Sequence, residues 1–184
     1  MVRKNGLSAS AHRRLAASLA VGLALFALQP SEAAEPEPVK IAVFDFVLDD
    51  RSAGRGIIEQ DAADTENLKL STEQARRMLS DSGRYSIVDA GSAAPEVMAA
   101  GGVQHCNGCE APLAKELGAD LAMIGVFTRV SRTEYTLQIL VRDTQTDAVV
   151  SNASTGLRMG ANYSWPRGVK WLMSNRILPA QRAN

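Results

Sequence analysis

The residues with the clearest capacity for chemistry are Cys106 and Cys109, the only two cysteines of the 184-residue chain, separated by Asn107-Gly108. A C-x-x-C pair can form a disulfide, exchange electrons as a dithiol or contribute two soft ligands to a metal, with His105 beside it as a third. Zinc sites want four ligands, and covalent haem attachment requires a histidine directly after the second cysteine, where Glu110 stands. A thioredoxin-like site places its first cysteine at a helix start after a buried strand, whereas Cys106 follows the glycine-rich stretch Gly101-Gly102. Cys109 is placed at a helix start, where the dipole and free amides favour a thiolate. The structural disulfide ranks first, with redox exchange and metal binding through Cys106, Cys109 and His105 as alternatives. So small a ring removes little chain entropy, and its work would be to pin the start of the next helix.

Asp45, Asp49 and Asp50 follow the first strand, at the end of an α/β strand where ligands often bind. They could hold a calcium-like cation, but no regular oxygen-ligand spacing follows, and the simpler reading has Asp45 capping or pairing and Asp49 and Asp50 solvated. No nucleophile with an accompanying base is evident, since the only histidines are His12 and His105, and Gly54-Arg55-Gly56 is too short for a phosphate-binding fingerprint. The expectation is a non-enzymatic protein with no cofactor and no resident metal.

Whether the cysteines pair depends on compartment, and the first residues address that. A basic start (Arg3, Lys4, Arg13, Arg14), an apolar run from Leu15 to Leu28, and small residues after Pro30 have the order of a secretory signal. Cleavage after Ala33 puts Ser31 and Ala33 in the two positions that require small side chains. The apolar run of about 14 residues is short of the roughly 20 that span a bilayer, which favours a cleaved signal over an anchor. Later segments are not apolar enough to span. Removing residues 1–33 takes four of the 20 basic residues and one of the 20 acidic ones, leaving a net charge of about −3. A mildly acidic chain argues against nucleic-acid binding. Residues 148–184, by contrast, carry Arg158, Arg167, Lys170, Arg176 and Arg182 and no acid. The expected location is the periplasm, where thiols are oxidised.

The elements that must position these residues read as one α/β domain over 39–184, preceded by a stiff linker at 34–38 containing Glu35-Pro36-Glu37-Pro38. Val39 to Val47 reads as a single strand covered on both faces. Leu48 to Leu70 reads as a polar loop holding no more than a helical turn. Ser71-Thr72-Glu73-Gln74 reads as a capping box opening a helix that ends near Ser82-Gly83. A strand at Tyr85–Val88, a short helix capped by Ser92 and running through Ala100, and a helix at Glu110–Leu117 follow. Ala119–Arg132, Glu134–Thr144 and Ala148–Leu157 then form an antiparallel meander, with Tyr135, Leu137, Ile139 and Val141 on its core face. The closing helix, Tyr163 to Leu178, is capped by Ser164 and carries Trp165, Val169, Leu172 and Met173 on one docking stripe. Trp165 is expected in the core and Trp171 half-buried beside Lys170, rather than forming an exposed aromatic surface with Tyr163. The fold class is therefore α/β: a mixed sheet of about five strands with a C-terminal antiparallel meander and helices packed on it.

The succession IAVFDF, SGRYSIVD, AKELGADLAMIG and YTLQILVRDTQTDAVV, from Lys40 to Ser151, resembles the α/β domain at the start of TolB and in curli-secretion and outer-membrane lipoprotein relatives. HCNGC and the closing ANYSWPRGVKWL are similar to a narrower proteobacterial family of secreted proteins with no assigned activity. The resemblance implies envelope assembly and protein contact, with no catalytic residues to carry over. A more distant association of such proteins is with periplasmic quinoprotein alcohol oxidation. This chain shows neither a cysteine at the cleavage site for a lipid nor a propeller domain, so the expectation is a free periplasmic module that binds another envelope or secreted protein. Its contact surface is expected at Arg167, Lys170 and Trp171 of the final helix and at Asp49 and Asp50. The alternative is a thiol-redox or metal-handling protein built on Cys106, Cys109 and His105.

Overall fold

A computed structural model describes residues 37–57, 59–99, 101–158 and 165–180. The expected signal at 1–33 with its cut after Ala33, residues 34–36 of the linker, His12, Tyr163 and the Ser164 cap lie outside the described residues. Among the described residues no helix is long and apolar enough to cross a membrane.

The strands are β1 (Val39–Val43), β2 (Val47–Asp50), β3 (Tyr85–Val88), β4 (Leu121–Arg129), β5 (Glu134–Asp143) and β6 (Val149–Arg158). They form one six-stranded sheet in the order β3-β1-β4-β5-β6, with β2 continuing β1's line along β4. β1 runs parallel to β3 and β4, and β4-β5-β6 is the antiparallel meander. The expected mixed sheet with a closing meander is borne out. The helices are α1 (Ala62–Asp81), α2 (Ala94–Ala99), α3 (Glu110–Glu116), α4 (Trp165–Leu172) and the short α5 (Leu178–Ala180). A π-helical turn over Met173–Ile177 joins the last two, and the Asn175 side chain donates to the Trp171 carbonyl at 2.7 Å.

The single strand expected over Val39–Val47 is broken. Val43 lies opposite Met123 and Val47 opposite Val126, so three residues, Phe44–Phe46, face only two, Ile124 and Gly125. That extra residue is a β-bulge, and it has an evident cause. Phe44 and Phe46 would share a face in a regular strand, yet Phe44 packs in one apolar cluster and Phe46 in the other, on opposite sides of the sheet. The bulge also reverses the alternation for everything that follows. Two bonds stabilise it, from Phe44 N–H to the Met123 carbonyl at 3.0 Å and from Phe46 N–H to Thr72 Oγ1 at 2.9 Å.

The first helix corrects the reading of 48–70 as loop: it begins at Ala62, and Ser71 lies in its interior. Its capping box is Asp61 with Asp64, the Asp61 carboxylate accepting from Asp64 N–H at 2.7 Å. Asp64, Leu68, Ser71, Thr72, Ala75 and Leu79 form its buried stripe. The stripe escapes a hydropathy reading because half of it is polar, and two of the polar members have partners across the core. Thr72 accepts from the bulge, and Asp64 receives Arg129. Similarly, Ser92 lies in a 3₁₀ turn, Gly91–Ala93, which leads into α2 without a side-chain cap.

One sheet face is dressed over most of its area. α1 and the α4–π segment bury Ile41, Val43, Met123, Leu137, Ile139 and Val141, and Trp165 stacks on Phe127 with ring centroids 4.4 Å apart. The other face carries a smaller cluster rich in alanine (Ala42, Ala90, Ala93, Ala114, Ala119, Ala122) that lets α2 and α3 approach closely. There the outer parts of β4 and β5 are only half-covered.

Gly125 gives a direct check on this packing. A Cβ there would stand 2.5 Å from three ring atoms of Phe46, whereas at Gly156 it would meet nothing within 4 Å. Gly125→Ala should therefore lower unfolding free energy by about 1–3 kcal/mol, and Gly156→Ala should be neutral or slightly stabilising. Urea titrations of the two variants would measure both.

Candidate functional site

Three aspartates near the first strand were candidates to converge on a cation, and each has its own arginine instead. Asp45 sits on the bulge and pairs with Arg76 at 3.1 Å, whose guanidinium also donates to the Val43 carbonyl. Beyond the bulge, strand alternation sends Asp49 and Asp50 to opposite sides of the sheet. Asp49 pairs with Arg51 at 2.6 Å and opens onto the half-covered face. Asp50 accepts from Arg129 at 3.0 Å beneath the start of α1. Neither is the freely solvated aspartate expected from the sequence.

Arg129, at the end of β4, is only 5% exposed. It donates to Tyr135 Oη at 3.2 Å, to Asp50 at 3.0 Å and to Asp64. Burial alone would lower its pKa, but the hydrogen bonds to Tyr135 and Asp64 outweigh that and raise it above its ordinary value. Asp50 is held below the usual carboxylate range, chiefly by the Ser52 backbone N–H; burial pushes the other way, and the Ser52 side chain and Arg129 add to the lowering. Neither Arg129 nor Asp64 stood out in the sequence, because the partners are 65 residues apart.

The disulfide expected between Cys106 and Cys109 is formed. Cys109 is the N-cap of α3, as its position implied. The next residue, Glu110, is 1% exposed, and its Oε1 accepts from Arg142 Nε at 2.8 Å. Arg142 also donates to the Asp147 carbonyl at 2.8 Å and pairs with its carboxylate at 3.4 Å. The bridged loop is thereby tied through α3 to β5 and the β5–β6 turn. His105 is exposed and does not join the group of ligand atoms within 4.8 Å of one another, which among the described residues is Cys106, Cys109 and Glu110. In the bridged state neither cysteine offers a thiolate to a metal.

Between this loop and the half-covered face lies a cleft of about 220 Å³. Asp49, Gln104, Glu110, Thr128, Gln138 and Arg142 provide its polar walls, over apolar patches from Ile124, Val126 and Leu140. Two segments that the sequence marked separately, the acidic stretch after the first strand and the cysteine loop, thus meet at one site. Arg167, Lys170 and Trp171 do not join it. α4 packs on the largely dressed face, with Arg167 and Lys170 exposed and Trp171 49% exposed, while Trp165 is buried as expected. Sequence reasoning missed Glu110, whose buried role a first-turn acid does not announce, and Gln104, which lies in a loop.

The geometry defines an α/β domain with an open mixed sheet, one face largely covered and the other bearing a disulfide-bordered polar cleft. Residues 39–177 match the family described as "Protein of unknown function (DUF2380)", and the chain belongs to that family. Among solved structures it is similar to the lipoprotein GNA1162 from Neisseria meningitidis, at 16% identity and a TM-score of 0.48 over 80% of this chain and 98% of that one. The C-terminal domain of LpoB from Salmonella enterica gives 16% identity and 0.45 over 69% and 87%. TolB from Acinetobacter baumannii gives 15% and 0.41 over 78% and 28%. No curated protein matches the chain.

Two variants report on these arrangements. Arg129→Met strands two acidic partners and should cost roughly 3–5 kcal/mol at neutral pH, towards the lower end because Asp50 keeps its Ser52 bond. Asp50's folded pKa lies below its unfolded value of about 4, so its ionised form stabilises the fold above that pH and the contribution is lost as pH falls through the folded value. Only Arg129's share of that lowering is lost in the variant, so the gap between Arg129→Met and wild type should narrow modestly under acid, as urea titrations at neutral and acid pH would show. Replacing both cysteines by serine opens a ring of four residues, for which loop entropy gives about 2 kcal/mol. Hydrogen exchange should rise around residues 101–112 and leave β4 and β5 protected.

Proposed function

We propose that this chain is an exported, non-catalytic binding module of the bacterial envelope, and that its cleft takes a segment of another envelope or secreted protein. The observation that carries this reading is the cleft itself. It presents paired charges and half-covered apolar residues on a strand surface held from beneath by the main core. Polar groups mixed with apolar patches on a rigid support suit recognition of a partner chain. Location in the periplasm is supported by the basic-apolar-small order of the first 33 residues and by a disulfide that suits an oxidising compartment.

Site-specific photo-crosslinking in cells tests the reading. With benzoylphenylalanine replacing Gln138, in the cleft, a discrete adduct to one envelope protein is expected, and Thr128→Arg should abolish it by filling the site. The same probe replacing Lys170, on the other side of the sheet, should give no adduct. Adducts formed only from the Lys170 position would move the contact surface to the final helix and overturn the cleft reading.

A further inference from the structure

We propose that Asn107-Gly108 is a self-modification site on the wall of the cleft, where the asparagine loses ammonia and becomes a carboxylate within reach of Arg142. Both residues line the cleft, and Asn107 is exposed. The chemistry needs only water. The deprotonated Gly108 amide nitrogen attacks Asn107 Cγ, the new N–C bond closes a five-membered succinimide, the Cγ–Nδ2 bond breaks and ammonia departs. Water then opens the ring, at Cγ to give aspartate or at the main-chain carbonyl to give isoaspartate. Either product carries one new negative charge. A successor without a side chain leaves the attacking nitrogen uncrowded, and the two groups are already joined in one chain, so no encounter has to be arranged.

Three observations single out this asparagine. First, among the described residues neither its carboxamide nor the Gly108 N–H makes a hydrogen bond, so neither reacting group is held back. Asn152, by contrast, accepts from Gln138 Nε2 at 2.8 Å within β6, and Asn175 donates to the Trp171 carbonyl in the π-helical turn. Asn67 lies inside α1, where the nitrogen that would attack belongs to the helix ladder. None of these three precedes a glycine. Second, φ is +50° at Asn107 and +108° at Gly108. Asparagine tolerates left-handed backbone better than most residues with a side chain, and glycine adopts it freely. The turn between Cys106 and Cys109 thus favours the very dipeptide that cyclises most readily. Third, a Cβ on Gly108 would lie 3.9 Å from Arg142 Cζ and 4.0 Å from Asp147 Oδ1, so the new carboxylate arises beside the ion pair that ties the ring to β5. The charged side chains lining the cleft are Asp49 and Glu110 against Arg51 and Arg142, a balance that conversion tips by one negative charge.

The full chain, exported from cells and purified promptly, would be held folded at neutral and mildly alkaline pH and sampled over days. Peptide maps with electron-transfer fragmentation locate the product, and methyl transfer by a protein isoaspartate methyltransferase counts the isoaspartate. Conversion is expected at Asn107 with the disulfide intact, faster at the higher pH because the attacking amide must lose its proton, while Asn67, Asn152 and Asn175 stay unchanged. Asn107→Gln requires a six-membered ring and should slow ammonia release at that position about tenfold or more. The time course of the unaltered protein decides the matter even where that variant does not fold. Converted chains, separated by anion exchange, should show a shifted Arg142 Nε–H signal by NMR. An Asn107 that persists as long as Asn152, or that converts only after reduction and unfolding in urea, would overturn the proposal. An unmoved Arg142 signal in the converted chains would overturn the placement of the new charge.

Discussion

Three chain segments meet on one buried cation. Arg129 closes β4 and holds the end of β2 through Asp50, the first turn of α1 through Asp64 and the start of β5 through Tyr135. A guanidinium at that depth is tolerable only when its donors are met by oppositely charged or polar groups, and each of these partners comes from a different element. The contribution is mainly one of position. Hydrophobic burial across the dressed face supplies most of the stabilisation, but apolar contacts slide easily, whereas a fork of directed bonds allows α1 to start in one place. The same network explains why an aspartate occupies the inner stripe of a helix that would otherwise be read as solvent-facing.

The half-covered face is organised by a second arginine in a different manner. Arg142 lies at the far end of β5 and joins the disulfide loop to the last turn of the meander through Glu110 and Asp147. The bridge closes a ring of four residues, and the ion pair ties that ring to β5 and the β5–β6 turn. The cleft is thus the space left when a short helix of small residues covers only part of a sheet face.

The sequence disclosed what depends on local pattern. The meander was legible because Tyr135, Leu137, Ile139 and Val141 alternate cleanly. The final helix was legible because Trp165, Val169, Leu172 and Met173 recur at helical spacing, and all four are buried. The disulfide was legible because two cysteines are three positions apart. Hidden from it was everything that depends on distant partners. α1 was shortened by nine residues in the reading because Asp64 and Thr72 look like surface until Arg129 and Phe46 are known to face them. Asp49 and Asp50 were grouped because they are neighbours in sequence, and a strand separates neighbours. Glu110 and Gln104 gave no signal, since burial of a single polar side chain is a property of the assembled wall.

The bulge at Phe44–Phe46 acts as a frame shift in the addressing of side chains. Before it, odd-numbered residues face the main core; after it, even-numbered ones do, which is how Phe46, Leu48 and Asp50 come to lie on the side of Ile41 and Val43. The destination of Asp49 and Asp50 is therefore encoded by the number of residues between Val43 and Val47 more than by their identities. Relatives that exchange Asp45 for another residue can keep the same cleft, whereas one that gains or loses a residue there would present Asp50's position to the cleft and bury Asp49's. In this segment length is the heritable variable that decides which acid lines the cleft and which pairs with Arg129.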